Sequence, residues 1–217
     1  MLKTLCKTVT VVLFGALAFG AANFPDPAVD TPRVAGKTET AVLAAGCFWG
    51  VEAVFESLKG VSDVVSGYAG GSAASAHYEI VSSGLTDHAE SVRVTYDPAQ
   101  ISYGQLLKVY FSVAHDPTQL NRQGPDTGKQ YRSAVFYSNA EQKRVAEAYV
   151  QQLDQAKVYP KAIVTKMEPL KAFYPAEGYH QNFVKHNPNY PYVVYNDLPK
   201  LKHLKEEFPA LLKGGAK

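Results

Sequence analysis

The sequence predicts one α+β domain with a ferredoxin-like split βαβ core, and three observations lead to that fold class. The chain has 217 residues, of which 46% are apolar, which is enough for one substantial core and short for two large ones. Segments with the alternation of strands are interleaved with segments that have the apolar spacing of helices. Their order is strand, helix, strand, strand, helix, strand, so we expect a mainly antiparallel sheet with the helices packed on one side.

The first four predicted elements are a strand at 40–45, a helix at 51–58 and strands at 61–68 and 91–96. The helix is indicated by apolar residues at helical spacing, Val51, Val54, Phe55 and Leu58, with Gly60 after its end. The two later strands alternate in polarity. Between them lie a loop of small residues and a single predicted helical turn at 77–83.

The remaining predicted elements follow after residue 100. Ser102 is placed to cap a helix whose apolar side carries Leu106, Leu107, Tyr110, Phe111 and Ala114. After a polar loop at 116–130, the sequence predicts a strand at 133–137, a helix that Ser138 or Asn139 caps, and a strand at 162–167. These last elements extend the core beyond the split βαβ unit as extra helix and strand elements toward the C-terminus.

The N-terminus has the pattern of a secretory signal. Lys3 and Lys7 precede an apolar run at 9–19, and small residues follow at 20–22. The run is short for a membrane span, so we predict that residues 1–22 are a cleaved signal peptide. The protein is then expected to be exported, periplasmic or secreted. An uncleaved membrane anchor is the alternative.

The rest of the chain divides into three predicted segments. Residues 23–38 contain several prolines and little apolar periodicity, which is typical of a flexible linker. Residues 39–196 are predicted to form the catalytic domain. Residues 197–217 are predicted to be a helical tail, because Leu201 and Leu204 are spaced as in an amphipathic surface helix.

Charge and cysteine content exclude several function classes. Removal of residues 1–22 takes two of the 22 basic residues and none of the 20 acidic ones, so neither nucleic acid nor an anionic membrane is an expected partner. Cys6 leaves with the signal, and Cys47 is then the only cysteine, so no intramolecular disulfide is expected. We expect no metal site, because one thiol and six scattered histidines match no zinc motif, and no cofactor.

Cys47 has the clearest chemical signature in the chain. It lies in Gly46-Cys47-Phe48-Trp49-Gly50, where the first predicted strand passes into the first helix. A thiol at this place faces unpaired backbone N–H groups and the positive end of the helix dipole, which favour a thiolate. A buried structural cysteine is the alternative. The adjacent glycines and aromatic residues favour a nucleophile beside an apolar wall.

Five short motifs occur in a fixed order within residues 42–195: Gly46-Cys47-Phe48-Trp49-Gly50, Gly67-Tyr68-Ala69-Gly70-Gly71, His88-Ala89-Glu90, His115-Asp116-Pro117 and Gln130-Tyr131-Arg132-Ser133. In this order they closely resemble the A-type peptide methionine sulfoxide reductases. The resemblance implies reduction of methionine S-sulfoxide, free or in peptides and proteins, to methionine, as repair after oxidation.

The resemblance assigns a role to four catalytic candidates. It implies that Cys47 attacks the sulfoxide sulfur and that Glu90 protonates the departing oxygen. Burial would keep a proton on Glu90 at neutral pH, as a donor requires. Tyr78 and Tyr131 match the two family tyrosines whose hydroxyl groups hydrogen-bond the sulfoxide oxygen and the acid.

Four further residues are implied to contact the substrate. Phe48 and Trp49 would form the slot that receives the terminal methyl group. Asp126 resembles the family aspartate that holds the substrate or a water molecule, with a loop turn residue as the alternative. His180, in Tyr179-His180-Gln181-Asn182, resembles a residue of a segment that lines the site, with a structural histidine as the alternative.

The chain departs from the family pattern in its tail, where many members carry resolving cysteines and residues 201–217 have none. Cys47 is therefore expected to become a sulfenic acid that an external thiol reduces, such as a thioredoxin-like or glutaredoxin-like protein. Asp87 stands where a glycine is usual, and Ala74-Ser75-Ala76 replaces an Asn-Pro stretch. We expect a monomer.

Two other function classes stay open from the sequence. A Cys-His hydrolase, in which His77, His88 or His180 activates Cys47, would act on esters or amides. An exported binding module would hold methionyl peptides in the aromatic pocket and return them unchanged.

Overall fold

The computed structural model describes residues 24–214, and the predicted signal peptide at 1–22 and Cys6 lie outside the described residues. The strands in this range are β1 Glu39–Ala45, β2 Val61–Ala69, β3 Ala89–Tyr96, β4 Arg122–Gln123, β5 Asp126–Thr127, β6 Ser133–Tyr137, β7 Lys166–Pro169 and β8 Phe173–Pro175. The α-helices are α1 Phe48–Glu56, α2 Tyr78–Val81, α3 Tyr103–Val109, α4 Ala140–Gln155, α5 Phe183–His186 and α6 Leu198–Glu207. No helix in the described range is both long and apolar enough to cross a membrane.

Six strands form one sheet in the order β7-β6-β1-β3-β2-β8. The β6–β7 pair is parallel, and the other four pairs are antiparallel. The fold is therefore α+β with a mixed sheet, and the predicted ferredoxin-like, mainly antiparallel description is not confirmed in that detail. The last predicted strand, at 162–167, is observed at Lys166–Pro169, because Val164 bonds through its N–H to the carbonyl oxygen of Pro117 before the chain reaches β6.

The two faces of the sheet are covered differently. On one face, Leu43, Val92 and Val94 join the buried side chains of α1, α3 and α4 in the main core. On the other face, a smaller cluster contains Val42 and Ala44 and packs against Leu170 and Phe173, among others. Since alternate residues of a strand point to opposite faces, β1 is apolar along its length because both of its faces are buried. The predicted tail helix, α6, also packs on the main core.

Helix α3 begins as the sequence predicts. The Ser102 hydroxyl accepts from the N–H of Gln105, and the Gln105 side chain accepts from the N–H of Ser102, which is a capping box. The helix continues as a π-helical turn, Tyr110–Ala114. There the buried Tyr110 hydroxyl donates to the carbonyl oxygen of Ala44 at 2.7 Å, which ties the helix to the end of β1.

The segment predicted as a flexible linker, 23–38, is packed on the domain over its described residues. The ring of Phe24 meets that of Tyr149 edge-on, with centroids 6.5 Å apart. The Tyr149 hydroxyl donates to the carbonyl oxygen of Pro25 at 2.8 Å, and the side chain of Gln152 makes two hydrogen bonds to the backbone of the segment. The structure thus corrects the linker prediction, because side chains of helix α4 make hydrogen bonds to the backbone of this segment and hold it on the domain.

Asp30 anchors this segment at the start of α3. Its carboxylate accepts from the N–H groups of Gly104 and Thr31, both at 2.7 Å, and from the Ser102 hydroxyl. Gly104 allows this approach, because a Cβ at that position would lie 2.7 Å from the carboxylate.

We expect Asp30→Ala to lower the free energy of unfolding by about 1–2 kcal/mol, because it leaves an N–H group of the first helical turn without its partner. Urea unfolding at pH 7 measures the change. Asp154→Ala, at an exposed site on α4, is the matched control and should change stability by less than about 0.5 kcal/mol. Equal stability of both variants would contradict the anchoring role.

Candidate active site

The turn between β1 and α1 fixes the position of Cys47. Gly46 has φ +84°, and a Cβ on it would overlap the side chain of Gln123, so only glycine fits there. Cys47 follows directly and is the residue before the first turn of α1, with 8% of its surface exposed. The first N–H of the helix, that of Phe48, donates to Oε2 of Glu90 at 3.1 Å.

Glu90 is a buried acid on a central strand. It lies in β3 opposite Tyr68 of β2 and is 2% exposed. The pKa of Glu90 is raised to about 8, mainly by burial and to a smaller extent by Asp126, while the hydrogen bond from Phe48 lowers it. Glu90 is therefore a protonated carboxylic acid at neutral pH, as its predicted role requires.

The thiol of Cys47 also keeps its proton. Burial raises the pKa of Cys47 well above its ordinary value of 9.0, and the carboxyl groups of Glu90 and Asp197 raise it further. The N–H of Trp49 and the ammonium group of Lys200 act in the opposite direction. The expectation of a resting thiolate is thus corrected, because loss of hydration outweighs the helix N-terminus.

The predicted site residues meet around one cavity of about 180 Å³. Its lining residues are Cys47, Phe48, Trp49, Tyr78, Glu90, Asp126, Tyr131, Tyr190 and Tyr192. All of the residues assigned by resemblance, except His180, are in this set. A sulfur nucleophile, a proton donor, several hydroxyl groups and two aromatic rings therefore face the same small volume.

His180 supports the cavity from behind. The indole N–H of Trp49 donates to Nδ1 of His180 at 3.1 Å, so the imidazole accepts at that nitrogen. Burial lowers the pKa of His180, which keeps the ring neutral and able to accept. On its other side the indole stacks on Phe183, with centroids 3.7 Å apart and planes at 8°. The structure thus places His180 against Trp49, which matches the structural alternative of the sequence analysis and not the implied substrate contact.

Two tyrosines that the sequence analysis did not single out complete the cavity. Tyr190 and Tyr192 meet the indole of Trp49 edge-on, at 6.2 Å and 5.7 Å between centroids. The Tyr192 hydroxyl also donates to the carboxylate of Asp126. Two tyrosines flanking Pro191, shortly after the segment of His180, were the available signal for this wall.

Tyr78 is held in place by another acid that the sequence analysis missed. Glu177 accepts from the N–H of Tyr78 at 3.0 Å and from the hydroxyl of Tyr68 at 2.9 Å. Burial raises the pKa of both Tyr78 and Tyr131, so their hydroxyl groups remain donors at neutral pH. Each can therefore donate a hydrogen bond into the cavity.

The three histidines considered as a base for Cys47 lie elsewhere. Both ring nitrogens of His88 face backbone groups, the N–H of Gly71 at 3.3 Å and the carbonyl oxygen of Ser72 at 2.9 Å. His77 is exposed at the start of α2, and His180 is bound to Trp49. Within residues 24–214 none of the three lines the cavity, so this geometry does not favour a Cys-His hydrolase.

Comparisons with known proteins found a matching family model and similar relatives. Residues 39–211 match the family model described as peptide methionine sulfoxide reductase. The chain is 61% identical over 179 residues to "Peptide methionine sulfoxide reductase MsrA 2" of Mesorhizobium japonicum, covering 82% of this chain and 92% of the relative. It is 56% identical over 192 residues to a protein of the same name from Synechocystis, covering 87% and 90%.

Two solved structures share the fold. Mxr1 from Saccharomyces cerevisiae in reduced form has a TM-score of 0.65 and 33% identity, covering 73% of this chain and 91% of that chain. Methionine sulfoxide reductase A of Corynebacterium diphtheriae has a TM-score of 0.61 and 37% identity, covering 73% and 79%.

The buried acid makes a testable contribution to stability. Between the ordinary pKa of 4.5 and about 8, folded Glu90 keeps a proton that the unfolded chain has lost, so the free energy of unfolding falls as pH rises through this window. We expect Glu90→Gln to flatten that fall, so that between pH 5 and pH 8 it loses about 3 kcal/mol less stability than the parent.

Urea unfolding at pH 5 and pH 8 checks this expectation. Glu147→Gln, at an exposed site on α4, is the control and should follow the parent at both pH values. A Glu90→Gln variant with the same pH dependence as the parent would contradict a protonated Glu90.

Proposed function

Because the chain belongs to the A-type peptide methionine sulfoxide reductases and is an oxidoreductase that acts on methionine sulfoxide, we propose that it carries out this reaction with the single thiol of Cys47. One observation carries the proposal. Cys47, a protonated Glu90 and the aromatic pair Phe48 and Trp49 line the same cavity of about 180 Å³.

The cavity accounts for how the substrate is oriented. The terminal methyl group lies against Trp49 and Phe48, because these rings form the apolar side of the cavity. The sulfoxide oxygen then points toward Glu90 and the hydroxyl groups of Tyr78 and Tyr131. A chiral sulfur with its methyl group and oxygen fixed in this way presents only one epimer to Cys47, and by resemblance to the family we assign the S epimer.

The chemical step needs no proton from outside the site. Sγ of Cys47 forms a bond to the sulfoxide sulfur while Glu90 gives its proton to the oxygen, and the proton of the thiol replaces it on Glu90. The sulfur–oxygen bond of the substrate then breaks, and the hydroxyl group passes to Sγ as methionine leaves with the electron pair. The sulfur of Cys47 loses two electrons and becomes a sulfenic acid, and the sulfur of the substrate gains the same two.

An external thiol completes the cycle. Cys47 is the only free cysteine in residues 24–214, so no second thiol in that range can resolve the sulfenic acid. One thiol condenses with the sulfenic acid to give a mixed disulfide and water, and a second thiol releases Cys47. Thioredoxin-like proteins, glutaredoxin-like proteins and small thiols have the chemistry required. The signal-like residues 1–22 support export of the protein to the periplasm or the medium.

Turnover of a methionine sulfoxide peptide with dithiothreitol, followed by mass as loss of one oxygen, tests the function. We expect the S epimer to be reduced and the R epimer to remain. Cys47→Ser should abolish turnover, and Glu90→Gln should slow it by roughly 10²–10⁴-fold. Glu79→Gln, an exposed carboxylate on α2, is the matched control and should keep the parent rate. Turnover by Cys47→Ser would refute the proposal.

The pH profile tests the protonation of the donor. Since Glu90 must hold a proton and its pKa is about 8, kcat/KM should fall as pH rises through about 8. In Glu90→Gln this fall should disappear from the residual rate. A parent profile that instead rises with pH through about 4.5, with no fall near 8, would mean that Glu90 acts as a carboxylate.

A further inference from the structure

An ion pair that the reaction above does not use lies behind Cys47. Asp197 is fully buried at the end of the π-helical turn Val193–Asp197, and neither of its carboxylate oxygens has a hydrogen-bond partner among residues 24–214. Nζ of Lys200, one turn later in α6, is 3.8 Å from Oδ1 of Asp197. The side chain of Lys200 is 19% exposed. A buried carboxylate without hydrogen bonds costs stability, which calls for an explanation.

Both charges touch the helix that carries the nucleophile. A Cβ on Gly50 would overlap the carboxylate of Asp197 and would lie 3.2 Å from Nζ of Lys200. Gly50 is three residues after Cys47, in the first turn of α1. The glycine that ends the Gly46-Cys47-Phe48-Trp49-Gly50 motif thus makes room for an ion pair that comes from the C-terminal segment.

Lys200 is the cation in a predominantly acidic environment. The groups that face Cys47 are Glu90 on β3, Asp126 on β5, Tyr78 on α2, and Tyr131, Tyr192, Asp197 and Lys200 on the segments around them. The charge of Lys200 also acts on His115. Burial is the main cause that lowers the pKa of His115 to about 3, so this histidine is neutral. Lys200 lowers the pKa of Cys47, whereas burial, Glu90 and Asp197 raise it.

We propose that Lys200 and Asp197 are a pair of positioning residues that control the ionisation of Cys47 with opposite signs. The ammonium group of Lys200 stabilises the thiolate of Cys47, and Asp197 holds that ammonium against the first turn of α1 while limiting its effect. The C-terminal segment therefore places a positive charge, that of Lys200, near the nucleophile.

The step that gains most is the release of Cys47 from the mixed disulfide, and this part of the inference rests on the proposed function. The thiolate of the external reductant attacks the outer sulfur, a new disulfide forms, and Cys47 leaves as a thiolate with the electron pair of the broken bond. A leaving thiol of lower pKa departs faster, so a nearby ammonium accelerates regeneration. The ammonium group of Lys200 stabilises a neutral thiol much less than a thiolate, so it has less effect on steps in which Cys47 is protonated.

Alkylation of the substrate-free protein, residues 23–217, with iodoacetamide tests the charge effect directly, because Cys47 is the only thiol of that chain and only the thiolate reacts. We expect Lys200→Met to slow alkylation about three- to tenfold at pH 8 and to move the pH midpoint upward. Lys200→Arg should restore most of the rate. Lys202→Met, whose exposed side chain faces Glu206 on the same helix, is the matched control and should equal the parent.

Asp197→Asn distinguishes a charge effect from a structural one. A charge effect predicts that this variant alkylates faster than the parent, opposite to Lys200→Met. Loss of local structure would move both variants in the same direction, and circular dichroism at the assay temperature verifies that each is folded. The proposal is overturned if Lys200→Met matches Lys202→Met, or if Asp197→Asn and Lys200→Met change in the same sense.

A second assay addresses regeneration. The methylthio mixed disulfide of Cys47, made with methyl methanethiosulfonate, is reduced with dithiothreitol and followed by mass. Lys200→Met should release Cys47 about three- to tenfold more slowly than Lys202→Met. Equal rates would refute the role in release. Neither assay contains a sulfoxide, so failure of the parent to reduce methionine sulfoxide would refute the proposed function without altering these comparisons.

Discussion

The hydrogen bond from the N–H of Phe48 to Glu90 is the contact on which the rest of the site depends. It joins the first turn of α1 to the central strand β3, so the nucleophile and the acid are fixed by two rigid elements. A helix N-terminus favours an anion, which would leave Glu90 without a proton. Burial has the larger effect here and raises the pKa of Glu90 to about 8. The N–H of Phe48 thus holds Glu90 in place even though this hydrogen bond, taken alone, favours the ionised carboxylate.

Local signals predicted much of this arrangement. Apolar periodicity and capping residues located β1, α1, α3 and α4, and the capping box of Ser102 forms as expected. The family resemblance that the ordered motifs carry implied a shared site for Cys47, Glu90 and Tyr131, and all three line one cavity in the structure. Elements that depend on local periodicity and capping residues could therefore be predicted from the sequence.

The features that the sequence did not predict depend on distant contacts. The last predicted strand spans 162–167, but its observed position at Lys166–Pro169 and its parallel pairing with β6 depend on contacts that the sequence Lys-Met-Glu-Pro does not indicate. The segment at 24–38 is ordered by α3 and α4, which lie far along the chain. The charge state of Cys47 was predicted from the helix N-terminus alone, whereas the structure shows how completely the thiol is buried.

A protonated resting thiol has a chemical advantage that a thiolate would lack. Oxidation of cysteine follows thiolate character and exposure, and a sulfenic acid that no thiol traps can be oxidised further to a sulfinic acid, which is irreversible. In the substrate-free site, burial keeps the thiol of Cys47 protonated by raising its pKa. In the proposed mechanism, the substrate accepts the proton of Glu90, and the resulting carboxylate becomes the acceptor for the proton of the thiol. Nucleophile and acid are therefore activated by the same event, which restricts the reactivity of Cys47 to the compound that the cavity holds.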